Sequence, residues 1–237
     1  MNVRLKNLEL QFEPSGKLAG ISVDGVSPFL ADNSCRHDFG DGRWFEPRGW
    51  DECFPTIEAH GPSPVMGDLV WLPPRMRQSE TEVSQEWEMP SYTAKRRFRA
   101  DGARQLVMEF SVRNRGTTPL PFLWASHALF TFQGLRRVEF ADGGRLDDFS
   151  LDGSSSKTFR LNKGPARLVR EDGEVVLESD QRWWGIWLNR GGWPAERPAG
   201  FGCLGLEAAT TPAEHPDDGE IPRRGCFTGT VRMEVRT

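Results

Sequence analysis

The sequence predicts an all-β fold, a single large antiparallel β-sandwich formed by the 237 residues. Apolar and polar residues alternate with a period of two from end to end, and no segment keeps the apolar spacing of a helix for long. The 25 glycines and 17 prolines provide turns for many short strands. Large sandwiches commonly reach this length as one unit, so we expect one domain, residues 1–237.

The alternation places individual strands along the chain. It predicts an opening hairpin over residues 8–23 and a half-buried antiparallel strand over residues 106–112. Residues 120–130 are almost wholly apolar, which is typical of a strand that is buried on both faces. Further strands are predicted at residues 157–161, 174–178, 183–189, 202–210 and 228–236. The least regular stretches, residues 32–67 and 211–225, are the loops in which we expect a functional site.

Charge and composition narrow the class of partner. Lys and Arg total 30 against 34 for Asp and Glu, and both signs are scattered, which argues against a nucleic-acid partner. The first residues lack the apolar segment of a secretory signal, and no apolar run approaches the ~18 residues of a membrane span. The four cysteines lack the spacing of a disulfide scaffold and are interpreted as reduced thiols, mostly in the core. We therefore expect a cytoplasmic protein without a membrane partner, either a monomer or a homodimer.

Nine tryptophans accompany a single tyrosine. Burial in the core is the ordinary role of such large aromatic side chains. Flat indole faces also form platforms for the C–H faces of sugar rings. The tryptophans are therefore compatible with both a well-filled core and a sugar-binding surface.

Two residues stand out because ionisable groups occur in otherwise apolar strands. A ring nitrogen of His127 that lacked a partner would cost roughly 1–3 kcal/mol, so this residue is either a core histidine bonded to backbone or a functional group. Glu207 ends an apolar strand that carries glycines at 202 and 205. If it is desolvated there, its pKa rises toward the range of a general base; alternatively it reaches solvent at the strand end.

A third candidate is the segment at residues 48–57, interpreted as a loop. Arg48 offers a planar fork for oxygen atoms, and Asp51 and Glu52 can accept bidentate hydrogen bonds from vicinal diols; a solvated loop with a surface ion pair is the alternative. His37, His60 and His215 lie in polar loops without metal-ligand spacing. We therefore expect a surface role for these histidines and no metal site. Phosphate-binding loops, HExxH and GxSxG motifs are absent from the sequence.

Several strings occur in an order that resembles the aldose 1-epimerase (galactose mutarotase-like) family, particularly its divergent bacterial branch. The first is Gly-Trp-Asp-Glu-Cys-Phe-Pro at residues 49–55. It is followed by Val-Arg-Asn at 112–114, by the histidine-containing strand at 119–130, and by Lys-Thr-Phe at 157–159. The last are Gly-Ile-Trp-Leu-Asn-Arg-Gly-Gly-Trp-Pro at 185–194 and Leu-Gly-Leu-Glu-Ala-Ala-Thr-Thr at 204–211.

The resemblance implies a fold, an activity and roles for individual residues. The fold would be one large antiparallel sandwich with its site in the concave face, and the partner would be a small carbohydrate, a free aldose or a modified sugar. Glu207 would be the general base and His127 the general acid of cofactor-free ring opening at the anomeric carbon. The expected substrate-binding residues are Arg48, Asp51, Glu52, Asp68, Trp71, Lys157 and Trp187.

One departure from the family pattern leaves alternatives open. Met66 stands where the family has a second histidine, and losing such a hydrogen bond costs on the order of 1–3 kcal/mol. His60 in the preceding loop is a candidate replacement. The departure therefore leaves open a noncatalytic carbohydrate-binding or regulatory domain, as well as an enzyme with an altered substrate.

A two-carboxylate glycosidase is a third hypothesis. It would use Glu207 with Asp51 or Glu52, whose carboxyl groups would lie roughly 5–5.5 Å or 6.5–9.5 Å apart. Arg48 and Lys157 also leave a phosphorylated or acidic sugar open as the ligand.

Overall fold

The protein, described here from a computed structural model that covers residues 1–24, 27–28, 37–40, 42–194, 201–217 and 219–236, is an antiparallel β-sandwich, as predicted. The described residues form twenty-one strands and one short 3-10 helix, Leu69–Trp71. The strands are β1 (Asn2–Leu5), β2 (Leu8–Phe12), β3 (Leu18–Val23), β4 (His37–Asp38), β5 (Trp44–Phe45), β6 (Trp50–Cys53), β7 (Arg75–Gln78), β8 (Glu82–Glu88), β9 (Tyr92–Ala100), β10 (Gln105–Asn114), β11 (Leu120–Pro121), β12 (Ala125–Thr131), β13 (Leu135–Phe140), β14 (Arg145–Leu146), β15 (Ser155–Leu161), β16 (Ala166–Arg170), β17 (Gly173–Ser179), β18 (Trp183–Arg190), β19 (Gly202–Ala209), β20 (Glu220–Ile221) and β21 (Cys226–Arg236).

Two large sheets make up the sandwich. The first has eight strands in the order β1-β2-β3-β6-β12-β19-β18-β15. The second has nine strands in the order β14-β13-β16-β17-β21-β10-β9-β8-β7. Two short pairs, β11 with β20 and β4 with β5, lie beside them. Within the described part of the chain, no helix is long and apolar enough to cross a membrane.

The main core lies between the two large sheets and contains the alternate apolar residues that the sequence pattern indicated. Its stacked rings of Phe110 and Trp124 are 5.2 Å apart and nearly parallel, and they join β10 to the segment before β12. Gly229 in β21 makes room for this contact, because a Cβ there would lie 2.2 Å from the indole of Trp124. The stacking of the two rings and the lack of a Cβ at Gly229 together allow the close packing at this point.

The predicted double-sided burial of residues 120–130 is confirmed in β12. Six of its seven residues are buried, because a second, smaller apolar cluster covers the face of the eight-stranded sheet that points away from the main core. That cluster contains Phe45, Cys53, Ile57, Met66, Leu123, Ala125 and Ala209. Cys53 and Cys203 are free buried thiols and Cys226 is free and exposed, whereas Cys35 lies outside the described residues.

The interpretation of residues 48–57 as a loop is wrong in its central part. Residues 50–53 form β6, a fully buried strand that pairs with β12 along its length and with β3 at Trp50. Its short mixture of aromatic, acidic and thiol side chains lacks the regular alternation of the other strands. In the pleat, neighbouring residues must nevertheless point to opposite faces, so Asp51 and Glu52 face different surroundings.

Glu52 lies in the core, where a buried polar network surrounds it. Trp124 Nε1 donates to Glu52 Oε2 at 2.7 Å, and Ser126 Oγ and Arg96 Nη1 contact Oε1 at 3.3 and 3.4 Å. Arg96 is held in turn by Gln85 Oε1 at 2.6 Å and by the carbonyl of Gly16 at 2.7 Å. Burial raises the pKa of Glu52 to about 7, against the opposing effects of Arg96 and Trp124.

The raised pKa makes stability depend on pH in a defined direction. Because the folded protein keeps the Glu52 proton at pH values where the unfolded chain has lost it, the resulting stabilisation is complete below pH 4.5 and is lost as the pH rises to about 7. Glu52→Gln cannot ionise. We expect the free energy of unfolding of the wild type, relative to that of Glu52→Gln, to fall by about 3 kcal/mol across this range.

Urea denaturation at a series of pH values measures this difference. The control is Glu82→Gln, which removes a carboxylate from an exposed ion pair with Arg97. The control should show no comparable dependence, since exposed pairs contribute little. A constant difference between the wild type and Glu52→Gln would contradict the assignment.

Candidate active site

The candidate site lies on the face of the eight-stranded sheet opposite the main core. Three neighbouring strands place one polar residue each at the same level: His127 of β12 is directly opposite Asp51 of β6 on one side and Glu207 of β19 on the other. Directly opposite residues point to the same face of a sheet. The pleat therefore brings Asp51, His127 and Glu207 into one row.

The middle residue of this row, His127, lies at the floor of a cleft with a volume of about 300 Å³. Much of its wall is aromatic: Trp187 and Trp193 meet almost at right angles with ring centres 5.6 Å apart, and Phe39 and Phe45 also line it. The ring centre of Trp187 lies 6.1 Å from that of His127, and its Nε1 donates to Ser155 Oγ at 2.9 Å. The cleft thus combines indole surfaces with an ionisable floor.

Glu207 is fully buried and makes different contacts through its two carboxyl oxygens. Oε2 accepts a hydrogen bond from Lys157 Nζ at 2.9 Å. Oε1 has no hydrogen-bond partner among the described residues and lies 3.7 Å from His127 Nε2. Glycines flank this carboxylate, since a Cβ at Gly205 would be 3.1 Å from Oε1 and a Cβ at Gly185 would be 3.4 Å from Oε2.

The pKa of Glu207 moves in the direction opposite to the sequence-based expectation. Burial raises it, as expected, but the Lys157 ammonium and, to a lesser extent, His127 outweigh burial and hold it below its usual value. The expectation of a raised pKa was wrong because Lys157 lies 50 residues away in the chain and was not paired with Glu207. Glu207 is consequently ionised at neutral pH.

His127 is a cleft residue and not a core histidine bonded to backbone. Its side chain lines the cleft although it is almost fully buried, and its Nδ1 lacks a hydrogen-bond partner within the described ranges. Burial lowers the pKa of His127, and the attraction of Glu207 does not fully offset that effect. The ring is therefore mostly neutral at neutral pH.

Lys157 contacts a second carboxylate at the cleft wall. Its Nζ lies 3.3 Å from Glu214 Oε1, and the backbone carbonyl of Glu214 is itself fixed by the N–H groups of Ile57 and Glu58 at 2.9 and 2.8 Å. Burial lowers the pKa of Lys157, but Glu207 and Glu214 outweigh it and raise the pKa above its usual value. Lys157 is thus a charged bridge between two carboxylates.

Asp51 has its own cation, which the sequence did not indicate. Lys17 Nζ lies 3.0 Å from Asp51 Oδ2 in an ion pair without hydrogen-bond geometry. The same ammonium donates to the carbonyl of Glu46 at 2.7 Å and lies 4.3 Å from the ring centre of Phe45. Lys17 thereby compensates the charge of Asp51 at the edge of the site.

Five of the seven residues expected to bind substrate do not line the cleft: Asp51, described above, and Arg48, Glu52, Asp68 and Trp71. The prediction for Glu52 is wrong because the pleat turns its side chain into the core. Arg48 is paired with Glu13 and Glu46 at 2.9 and 2.7 Å. Asp68 and Trp71 have other partners: Asp68 accepts from Tyr92 Oη at 2.8 Å, and Trp71 Nε1 donates to the Val65 carbonyl at 2.8 Å. His127, Lys157 and Trp187 therefore line the cleft, and Glu207 and Asp51 lie on either side of His127 in the row without lining it.

Met66 lines the cleft at the position where a second histidine was expected. Its backbone has a φ of 65°, and its N–H donates to the Ile57 carbonyl at 2.5 Å. His60 does not replace it, because His60 is not part of the lining and its ring stacks on His215 at 5.8 Å. Across the described residues, no group of three or more His, Cys, Asp or Glu side chains is placed to hold a metal ion.

Sequence reasoning missed several residues of the site. Phe45, Trp193 and Glu214 line the cleft, and Lys17 pairs with Asp51. Trp193 lies in a string that resembles the family, and Glu214 lies in a loop that is predicted to be functional. Neither signal distinguished these side chains from their neighbours.

Solved structures with the same architecture identify the fold. A galactose mutarotase-like protein from Lactobacillus casei matches with a TM-score of 0.73 at 12% identity, covering 100% of this chain and 99% of that one. A galactose mutarotase related enzyme from Lactobacillus acidophilus matches with a TM-score of 0.72 at 11% identity, covering 100% and 97%. A galactose mutarotase-like protein from Clostridium acetobutylicum gives 0.67 at 11%, covering 100% and 94%.

No protein-family model matches the sequence, and no curated protein is significantly similar to it. The structural similarity therefore confirms the resemblance at the level of the fold: the chain is a galactose mutarotase-like sandwich. At these identities the similarity says nothing about catalysis.

Lys157→Met tests what controls the charge of Glu207. Without the ammonium, the effect of burial on the pKa of Glu207 is no longer opposed by Lys157, so we expect this pKa to rise. Titration of the ¹³C-labelled glutamate carboxyl groups by NMR measures it, with Glu207→Gln to assign the signal. Lys95→Met, which removes an exposed lysine of β9, is the control and should leave this pKa in place. An unchanged pKa in Lys157→Met would show that another group holds it down.

Proposed function

We propose that this protein interconverts the α and β anomers of an uncharged free aldose. The observation that carries the proposal is the pair formed by Glu207 and His127, an ionised carboxylate and an imidazole 3.7 Å apart beneath a cleft with aromatic walls. Both have an atom, Oε1 and Nδ1, that lacks a protein partner in the described structure. Buried polar atoms are nearly always satisfied, so such atoms are candidates for contact with a ligand.

The pair has the chemistry that ring opening requires. Glu207 takes the proton of the anomeric hydroxyl, the bond between the anomeric carbon and the ring oxygen breaks, and the ring oxygen takes a proton from His127. Rotation about the first carbon–carbon bond and closure with the roles reversed give the other anomer. An acid and a base of this kind contribute about 10²–10⁴ each to the rate.

The cleft suits an uncharged monosaccharide. Its volume of about 300 Å³ is at the lower end for ligand sites, and Trp187 and Trp193 offer flat surfaces for a pyranose ring. The Lys157 charge is already balanced by two carboxylates, and Arg48 is engaged outside the cleft. These contacts disfavour the phosphorylated or acidic sugar that the sequence left open.

Met66 favours a second candidate, a carbohydrate-binding protein without catalysis. A thioether accepts hydrogen bonds only weakly, so the cleft lacks one polar group that would orient the sugar.

The glycosidase hypothesis has less support. Glu52 faces the core, and His127 stands between Asp51 and Glu207 in the row.

Glu207→Gln and His127→Gln test the catalytic proposal. We expect the wild type to accelerate anomeric exchange of at least one neutral aldose, followed by NMR exchange or polarimetry over a panel of sugars. Each variant should lose about 10²-fold or more in kcat/KM. Glu82→Gln is the matched control and should retain the wild-type rate. Sugar binding without acceleration above buffer would instead support the noncatalytic candidate.

The pH dependence of kcat/KM provides a separate test. Glu207 must be ionised and its pKa is lowered, so the rate should rise through a region below pH 4.5. His127 must carry the proton that it donates and its pKa is also lowered, so the rate should fall as the pH rises through a region below 6.5. We expect a bell-shaped profile with its maximum on the acid side of neutrality. A rate that stays constant above that region would indicate that the neutral imidazole N–H acts as the donor.

A further inference from the structure

Glu207 cannot be reached from the cleft in the conformation described. Its side chain has 0% exposure, whereas the Lys157 side chain retains 14% and lines the cleft. Lys157 Nζ therefore lies between the open space and the oxygen that it contacts, at 2.9 Å from Oε2. A sugar hydroxyl that approaches Oε2 of Glu207 from the cleft must displace this ammonium.

Displacement is unfavourable unless the ammonium finds another partner. A buried charge that is left unpaired carries a large desolvation penalty. Glu214 provides that partner, because its Oε1 already lies 3.3 Å from Lys157 Nζ on the cleft side. Its side chain is one-third exposed, so it can accept a closer approach without itself being buried.

Glu214 is also held at a fixed position. Its backbone carbonyl accepts from Ile57 N and Glu58 N, and from Thr56 Oγ1 at 3.1 Å. The flexible four-carbon stem of a lysine can swing through a short arc between two such acceptors. The two carboxylates can therefore serve as alternative ion-pair partners of the one ammonium group.

We propose that Lys157, which contacts both Glu207 and Glu214 in the free protein, leaves Oε2 of Glu207 and keeps Glu214 as its partner when the anomeric hydroxyl of a neutral aldose takes its place on that oxygen. Glu214 is then a positioning residue, which acts through Lys157 and not on the sugar. This inference rests on the proposed function for the identity of the ligand. It adds the requirement that the ligand carry an anomeric hydroxyl, because that group replaces the ammonium.

Binding of two matched pairs of sugars tests the exchange without relying on catalysis. D-glucose and D-galactose carry the anomeric hydroxyl, and their 1,5-anhydro derivatives lack it. In Glu214→Gln the displaced ammonium loses its second ion-pair partner, so affinity for the aldose should fall roughly tenfold or more. Affinity for the anhydro sugar, which leaves Lys157 in place, should not change. Glu214→Asp keeps the charge and should recover much of the aldose affinity.

The lysine Nζ resonances of ¹⁵N-labelled protein give a second readout. The Lys157 signal, assigned with Lys157→Met, should shift when the aldose is added to the wild type but not when the anhydro sugar is added. Glu171→Gln removes a carboxylate from an exposed ion pair with Arg136 and is the control for both measurements. It should behave as the wild type does.

The outcomes separate this inference from the proposed function. Equal effects of Glu214→Gln on both sugars of a pair, or no effect on either, would overturn the exchange of Lys157 even if anomeric exchange is catalysed. The expected discrimination without catalysis would support the exchange and refute the epimerase. If the wild type binds neither sugar of either pair, both the inference and the sugar site are refuted.

Discussion

The strand β12 constrains the rest of the structure because it is buried on both faces. Its pleat sends Ser126 and Ala128 into the main core and turns His127 toward the cleft, and the two neighbouring strands must follow the same alternation. A shift of β6 or β19 by one residue would exchange core and cleft side chains and bury the wrong polar groups. The site is thus defined by the same register that fills the core.

Three buried carboxylates lie within this register, and each has a cation from a different part of the chain. Arg96 from the opposite sheet pairs with Glu52, Lys17 from the end of the first hairpin turn pairs with Asp51, and Lys157 from the edge strand β15 contacts Glu207. Burying an unpaired charge is costly, so each contact offsets part of the cost of burying its carboxylate. They also tie β9, β15 and the first hairpin to the central strands.

The sequence predicted strands well where one face is apolar and the other polar, as in β2 and β10. It failed at β6, a buried strand of four residues in which two acids interrupt the apolar run that identified β12 and β19. His127 and Glu207 could be identified because an ionisable group in an apolar strand is locally conspicuous. Lys17 and Glu214 could not, since their partners are distant in the chain and only the folded sheet brings them together. The wrong prediction for Glu52 follows from the same missed strand.

The two faces of the sheet differ in how completely their carboxylates are satisfied. In the core, both oxygens of Glu52 have donors, as a buried group requires. On the cleft face, Asp51 Oδ2 and Glu207 Oε1 lack hydrogen bonds from the described residues. An unsatisfied buried polar atom costs about 1–3 kcal/mol. These oxygen atoms therefore lower the stability of the fold unless a ligand supplies the hydrogen bonds. This deficit supports the proposal of a hydroxyl-bearing ligand, because a hydroxyl group could donate the hydrogen bonds that these carboxylate oxygens lack.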